Sequence, residues 1–160
     1  MKDIPTRFYF SEMTGPLGRL LLVASDEGLR TVSWNQEPPS ICVKSPRHPV
    51  LAQAKKQLTE YFAGRRTEFD LPLALKGTPF QLKAWAALKR IPYGKTISYQ
   101  EQARSLGGPN FARAAGTANR SNPIPIIVPC HRVVGKNGEL TGYFYGVGAK
   151  RFLLDLEQKR

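Results

Sequence analysis

The sequence has few of the residues that hold disulfide-rich or metal-bound domains together. Its 160 residues include two cysteines and two histidines. Cys42 and Cys130 lie far apart, and neither has a second cysteine at the spacing of a zinc motif. This pattern argues against a disulfide framework and favours a reducing compartment. We therefore expect neither a disulfide nor a metal site.

Long hydrophobic runs are also absent. Nowhere do 18 apolar residues follow one another, and the first ten residues, MKDIPTRFYF, lack the apolar stretch of a secretory signal. A transmembrane helix is therefore not predicted. We expect a cytoplasmic protein.

Acidic residues are scarce: the sequence has 12 of them and 24 basic residues, so the net charge is +12. The excess is uneven: residues 1–76 carry +3 (11 basic, 8 acidic), and residues 77–160 carry +9 (13 basic, 4 acidic). A basic half is typical of proteins with a polyanionic partner such as nucleic acid, but positive charge also keeps proteins soluble. Charge alone does not decide between these alternatives.

The first half predicts a small antiparallel β-meander followed by one helix. The segments RFYFSEM, RLLLVAS and LRTVSW are separated by the turns GPLG and DEG. Apolar residues at helical spacing then run to a stop at Gly64; they are Leu51, Ala54, Leu58, Tyr61 and Phe62. No catalytic pattern occurs in this half. Cys42 and His48, in the proline-rich loop 35–49, are interpreted as solvated loop residues and receive no role.

A domain boundary is predicted near LPLALKG, and short helices follow it. Thr78 and Gln81 form a capping box at the start of PFQLKAWAALKR, and Ser98 and Glu101 form a second one before YQEQARSL. A third helix, NFARAAGTANR, comes after GGPN. The last two helices are arranged like a helix-turn-helix, although an ordinary helical hairpin is the commoner structure.

The third helix carries two arginines and otherwise mostly small residues. Helices that read DNA sequence place polar side chains against base edges. Alanine and glycine instead suit a close approach to DNA without sequence readout. The candidate DNA contacts on this helix are Arg113, Arg120, Ala112, Ala114 and Gly116.

The stretch NPIPIIVPCHRVVG predicts a short buried strand, IIV, with Cys130 at its end. A thiolate is a nucleophile, and His131 or Arg132 beside the thiol could lower its pKa. Neighbours in an extended chain point to opposite faces, however, so adjacency does not establish contact. From spacing alone, Cys130 is either a structural thiol or a nucleophile.

The same stretch resembles the active-site segment of the O6-alkylguanine-DNA alkyltransferase family. GTPFQLKAWAALKRIPYGKTISY, ARAAGTANRSNP and KRFLLDLE also follow the family pattern, in the same order. The resemblance is strong over residues 77–157, and over the rest it extends only to length and layout. It implies an α+β protein with an N-terminal α/β domain, residues 1–76. A mostly helical domain for DNA binding and alkyl transfer follows, residues 77–160, with a helix-turn-helix and the short strand that delivers the cysteine.

The resemblance also implies a chemistry. Cys130 would take the alkyl group from guanine O6 in duplex DNA, once and irreversibly, with little sequence specificity. His131 would accept the thiol proton through a water, and Glu157 would orient that histidine. On the sequence alone, Glu157 is more simply interpreted as a residue on a solvated helix face. Tyr99 would donate a proton to the leaving base. No cofactor is implied, and the sequence contains no phosphate loop and no recognisable segment for a methyl donor such as S-adenosylmethionine.

Further roles follow from the resemblance. Arg113 would occupy the place of the extruded nucleotide. Asn122 would be a hinge, with a plain turn residue as the alternative. Backbone carbonyls of Cys130 and Val133 would hold the exocyclic amine. The remaining residues of the base pocket would be Tyr143, Phe144 and Tyr145. Many relatives that accept bulky adducts have a small residue in place of Tyr145, so its ring is expected either to fill the pocket or to form an outward lip on DNA.

Two other classes of function stay open. A non-enzymatic helix-turn-helix module that binds DNA would explain the charge and the helices without needing Cys130. A thiol hydrolase would need Cys130 and His131 but not the basic helix. The expected partner is duplex DNA carrying O6-alkylguanine. We expect a monomer and leave clustering along DNA open.

Overall fold

The computed structural model describes residues 6–159. The chain divides into two compact units, with the boundary between Leu75 and Lys76. Residues 1–5, half of the segment considered above for a secretory signal, and Arg160 lie outside the described residues. Within residues 6–159, no helix is both long and apolar enough to cross a membrane.

The first unit is a four-stranded sheet with one helix. Its elements are β1 (Tyr9–Gly15), β2 (Gly18–Ser25), β3 (Gly28–Trp34), β4 (Val43–Lys44) and α1 (Pro49–Phe62). The strand order is β3-β2-β1-β4, and the first three strands form the predicted antiparallel meander. The edge strand β4 was not predicted, because only two residues of the proline-rich loop pair with β1, in parallel.

Apolar side chains of the sheet and of α1 form the core of this unit. The predicted helical spacing is confirmed, since Leu51, Ala54, Leu58 and Tyr61 are completely buried. We expected His48 to be a solvated loop residue, but the structure shows two contacts of its side chain. Its Nδ1 accepts a hydrogen bond from the first turn of α1 (3.3 Å), and its ring stacks on Tyr9 with the ring centres 4.7 Å apart.

The second unit is mostly helical. Its elements are α2 (Pro79–Lys89), β5 (Ile97–Ser98), α3 (Tyr99–Ser105), a 3-10 turn (Pro109–Phe111), α4 (Ala112–Arg120), a second 3-10 turn (Cys130–Arg132), β6 (Val133–Val134) and α5 (Val147–Gln158). Both predicted capping boxes are present at the starts of α2 and α3. The α+β class with a helical second half is confirmed.

Helices α3 and α4 form the helix-turn-helix. Gly107, with φ of +134°, makes the turn, and a Cβ atom there would lie 2.9 Å from the Phe111 ring. Gln102 and Asn119 hold the two helices together through a reciprocal pair of buried hydrogen bonds of 2.9 and 2.8 Å. The small residues of α4 are only partly free for DNA, because Ala115 and Ala118 pack in the apolar core against α2.

The predicted strand IIV is wrong. The segment before Cys130 instead folds into turns around the side chain of Asn122, which donates to the Val128 carbonyl at 2.7 Å and accepts from the Ile124 amide at 2.9 Å. Three prolines in this segment have no N–H for a strand ladder, and Ile126 adopts φ of +74°. The strand comes after Cys130, as β6.

Strand β6 fixes the position of the segment that carries Cys130. It pairs in parallel with β5, with Ile97 opposite Val133 and Ser98 opposite Val134. Because β6 follows the Cys130 turn directly and α3 follows β5 directly, this pairing fixes the cysteine segment next to the start of α3.

Candidate active site

Cys130 opens a 3-10 turn whose three residues are all buried. Burial raises the pKa of the Cys130 thiol to about 11, while a hydrogen bond with Asn122 and the positive charge of Lys150 act in the opposite direction. The thiol is therefore protonated near neutral pH. A reaction that uses the thiolate needs a base to remove this proton.

His131 has the properties of a neutral base. Its side chain is completely buried, and burial lowers its pKa against the influence of Glu157. Nε2 lies 2.8 Å from Oε2 of Glu157, and since an ionised carboxylate only accepts hydrogen bonds, we assign the hydrogen to Nε2. Nδ1 is then an acceptor. It is buried and has no hydrogen-bond partner within residues 6–159.

Glu157 lies on α5 and is buried, so the interpretation of a solvated helix residue is wrong. It accepts hydrogen bonds from Nε (2.8 Å) and Nη2 (3.0 Å) of Arg132 in addition to that from His131. Burial alone would raise the pKa of this carboxyl, but the hydrogen bonds and charges of His131 and Arg132 hold it well below its usual range. The ionised carboxylate fixes the orientation of the imidazole.

Arg132 was one candidate for the cation beside the thiol. Its guanidinium instead binds Glu157 and the Ile91 carbonyl oxygen, the latter at 2.7 Å. The cation that acts on the Cys130 thiol is Lys150, which the sequence reasoning missed. A signal for it was present, because Lys150 and Glu157 are seven residues apart in the last helix and therefore share a face.

Tyr99 lines an open cleft of about 300 Å³ in the second unit. Its hydroxyl donates to the Thr141 carbonyl oxygen at 3.0 Å, and burial raises its pKa. A raised pKa keeps this hydroxyl protonated as a donor. The cleft is lined by Tyr99, Arg113, Gly116, Thr117, Arg120, Thr141 and Gly142.

The predicted DNA contacts are spread around the start and the outer face of α4. Arg113, Ala114 and Arg120 are exposed, and Ala112 and Gly116 are half-buried. Arg120 donates through Nε to the Gly142 carbonyl oxygen at 3.3 Å. Three of the five, both arginines and the glycine, therefore lie at the same cleft as Tyr99.

The predicted pocket residues differ in exposure. Val133 and Tyr143 are buried, and the Tyr143 hydroxyl has no hydrogen-bond partner within the described part of the chain. Tyr145 is half-buried, in edge contacts with Tyr143 (ring centres 6.1 Å apart) and Phe144 (4.9 Å). Phe144 is 68% exposed, so a place in the pocket wall stays a prediction for it.

Among residues 6–159, no group of three or more histidine, cysteine, aspartate or glutamate side chains is close enough to bind an ion. Both cysteines are free thiols.

Comparison with known proteins adds independent evidence. Residues 8–75 match the ribonuclease-like domain of 6-O-methylguanine DNA methyltransferase, and residues 79–159 match the DNA binding domain of the same family. The chain is 46% identical to the methylated-DNA–protein-cysteine methyltransferase of Methanosarcina acetivorans over 93% of this chain and 97% of that protein. It is also 46% identical to the constitutive methylated-DNA–protein-cysteine methyltransferase of Bacillus subtilis, over 94% and 95% of the two chains.

Solved structures agree with these relatives. A crystal structure of Mycobacterium tuberculosis OGT in complex with DNA is similar to this chain with a TM-score of 0.87 and 45% identity, covering 94% of this chain and 92% of that one. Similarity of sequence and of fold thus extends over both units. The chain belongs to the 6-O-methylguanine DNA methyltransferase family.

Proposed function

We propose that this protein repairs alkylated DNA by moving the alkyl group from O6 of guanine in a duplex to Sγ of its own Cys130. One observation carries the proposal. His131, the residue next to a buried thiol, has its Nε2 bound to an ionised Glu157, and its Nδ1 is a buried acceptor with no hydrogen-bond partner among residues 6–159. Nucleophile, base and orienting group are the parts that covalent catalysis by a thiol requires.

The reaction begins with proton removal. His131 takes the Cys130 proton at Nδ1 through a bridging water, and Glu157 stabilises the imidazolium that forms. The thiolate then attacks the alkyl carbon in line with the carbon–O6 bond. The S–C bond forms while the C–O bond breaks, and the electron pair stays with the guanine. Tyr99 donates its proton to N3 of the ring, so the base leaves as neutral guanine.

The thiol cannot reach O6 inside a stacked duplex, so the damaged nucleotide has to leave the helix. Unstacking costs a few kcal/mol, which an inserted side chain partly offsets. Arg113 is suited to this role, since it is exposed on α4 at the cleft that Tyr99 lines. Affinity for the duplex comes mainly from phosphate contacts, so binding depends little on sequence.

The product is a thioether, whose carbon water does not readily displace, so each molecule reacts once and needs no cofactor. We assign DNA binding and transfer to residues 77–160 and no activity to residues 1–76. The protein acts as a monomer on duplex DNA that carries O6-alkylguanine. A cytoplasmic location suits a free nucleophilic thiol, which an oxidising compartment would threaten.

One incubation tests this proposal. The protein is mixed with a duplex whose O6-methylguanine carries a radiolabelled methyl group, and the products are separated by denaturing electrophoresis. We expect label on the protein, rising to one methyl per molecule. A duplex labelled on 5-methylcytosine is the control, because its methyl is bound to carbon and cannot be displaced by a thiolate.

The same experiment separates the alternatives. A DNA-binding module without chemistry would leave all label on the DNA. A thiol hydrolase would release label into solution without retaining it. Either result would refute the proposal.

A further inference from the structure

Two aromatic side chains, Phe144 and Tyr145, lie at the tip of a tight turn in the second unit. The amide of Gly146 donates to the Tyr143 carbonyl oxygen at 3.0 Å, which closes a β-turn over residues 143–146. The central positions of such turns usually carry glycine, proline, asparagine, aspartate or serine. The local backbone therefore does not explain two aromatic residues here, and departures of this kind are expected at functional sites.

Phe144 is the most exposed large apolar side chain of residues 6–159, at 68%. Its ring is nevertheless held in place. It makes an edge contact with Tyr145 (ring centres 4.9 Å apart), and Tyr145 packs in turn against the buried Tyr143 (6.1 Å). An apolar group that is already oriented loses little conformational freedom when it binds a partner. The exposed ring is thus suited to making a contact outside the protein.

The two residues before the turn attach it to the helix-turn-helix. Tyr99, at the start of α3, donates to the Thr141 carbonyl oxygen at 3.0 Å. Arg120, at the end of α4, donates to the Gly142 carbonyl oxygen at 3.3 Å. Thr141 and Gly142 line the same cleft as Arg113. The aromatic tip therefore continues the surface that the proposed function assigns to DNA.

DNA offers an apolar ring a partner mainly when a nucleotide has left the stack. In an intact duplex the bases are stacked and the outer surface carries phosphates. Extrusion of the damaged nucleotide uncovers apolar surface on the nucleotides beside it. Aromatic side chains pack favourably on unstacked bases of any sequence, because every base has a π-face. Such a contact agrees with binding that depends little on sequence.

We propose that Phe144 packs on the nucleotide next to the lesion on the damaged strand, once the lesion has been extruded. The inference rests on the extrusion step of the proposed function and deepens it. Two separate elements then stabilise the extruded state. Arg113 on α4 fills the vacated place in the duplex, and Phe144 on the turn covers apolar surface of the adjoining nucleotide. Phe144 is not part of the wall of the base pocket.

The first measurement is the affinity of Phe144→Ser for two duplexes that differ only in the O6-methyl group of one guanine. Both forms of residue 144 are combined with Cys130→Ser, so that the bound duplex does not react. We expect Phe144→Ser to weaken binding of the methylated duplex about tenfold and of the unmethylated duplex less than twofold. The dependence of log Kd on log salt concentration should stay the same, since no phosphate contact is lost.

The second measurement compares single-turnover rates with a methylated duplex, at a concentration below its Kd, and with free O6-methylguanine base. Phe144→Ser should slow the duplex reaction about tenfold and leave the reaction of the free base within twofold. Phe144→Tyr keeps the ring and should recover both the affinity and the rate. Ile41→Ser removes an equally exposed apolar side chain from the first unit, 67% exposed, and should change neither. Should Phe144→Ser fail to fold, Phe144→Leu takes its place.

Three results would overturn the inference. A rate with the free base that falls as much as the rate with the duplex would place Phe144 in the pocket wall. Equal losses of affinity for the two duplexes would show a contact that does not depend on extrusion. Unchanged affinity and rate would show that Phe144 does not contact DNA. Absence of methyl transfer by the unaltered protein would instead refute the proposed function, and the two affinities would still test the Phe144 contact, because they involve no transfer.

Discussion

The two units of the chain differ in what they bury. The first unit buries apolar side chains and a few neutral polar ones, namely Ser11, Ser25, Ser33 and Gln57. Every buried lysine, arginine, histidine or glutamate side chain within residues 6–159 lies in the second unit; these are His131, Arg132, Lys150 and Glu157. Charged groups are expensive to bury and are rarely needed for folding. Their concentration in the second unit supports the proposal that this unit carries the chemistry.

The units also differ in how they are held together. Three strands of seven or eight residues and a 14-residue helix give the first unit regular backbone hydrogen bonds, and only its edge strand β4 is short. The second unit has two-residue strands and depends on side-chain bonds, such as those of Asn122 and of the Gln102–Asn119 pair. Irregular backbone lets side chains from separate segments converge on Cys130.

The strongest test of this contrast replaces each of the two cysteines with serine in a separate variant. Cys130→Ser should abolish methyl transfer while duplex affinity stays within about threefold, because affinity comes from phosphate contacts. Cys42→Ser, in the first unit, should leave both properties unchanged. Transfer rates and Kd values of the two variants are compared with those of the unaltered protein. Full methyl transfer by Cys130→Ser would contradict the proposed mechanism.

Glu157→Gln should have the next largest effect. Removing one partner of a buried ion pair typically costs about 3–5 kcal/mol in the free energy of unfolding, because Arg132 is left without its counter-charge. Transfer should slow as well, since His131 loses the negative charge that stabilises its protonated form. Denaturant unfolding and single-turnover rates measure both effects.

The loss of stability in Glu157→Gln should depend on pH. The folded pKa of Glu157 lies below its unfolded value of about 4.3. Its contribution to stability is therefore fully present above pH 4.3 and is lost as the pH falls toward the folded pKa. The stability gap between the unaltered protein and Glu157→Gln should be constant near neutral pH and should narrow below about pH 4. A gap that does not change over this range would show that Glu157 is not held ionised by its partners.

Arg113→Ala should separate duplex repair from chemistry. We expect a loss on the order of a hundredfold with a methylated duplex and little loss with free O6-methylguanine base, since only the duplex requires extrusion. Arg65→Ala removes an equal charge from the first unit and is the matched control. Equal losses on both substrates would assign Arg113 to the fold or the pocket.

Tyr145→Gly should have the smallest effect of this series, and on bulky substrates only. Tyr145 is half-buried against Tyr143, so we expect its ring to occupy space that a benzyl group would need. Relief of this overpacking should speed inactivation by O6-benzylguanine about tenfold, with methyl transfer little changed. If the unaltered protein is as sensitive as the variant, Tyr145 forms an outward lip instead.

Local patterns allowed much of the second unit to be predicted. The capping boxes of Thr78 and Ser98 are signals within four residues, and both are present in the structure. The prediction of a strand at IIV was wrong because the prolines and the side chain of Asn122 outweigh the β-propensity of this segment. Strand β4 was missed because its two residues lie in a proline-rich loop and gain their pairing only from β1.

The candidate site was predicted by resemblance more than by pattern. A glutamate near the end of a chain is usually solvated, and only its contacts with His131 and Arg132 reveal that Glu157 is buried. Such long-range contacts have no local sequence signal. Lys150 was missed for the same reason, although its helical register with Glu157 indicated a shared face.

Methyl transfer to Cys130 is tested most directly by peptide mass mapping after incubation with an excess of O6-methylguanine duplex. Trypsin should release Cys130 in the peptide of residues 121–132 and Cys42 in the peptide of residues 31–44. We expect one methyl group on the Cys130 peptide, none on the Cys42 peptide, and no further repair once Cys130 is modified. Methyl on Cys42, or continued demethylation of DNA with Cys130 unmodified, would contradict it.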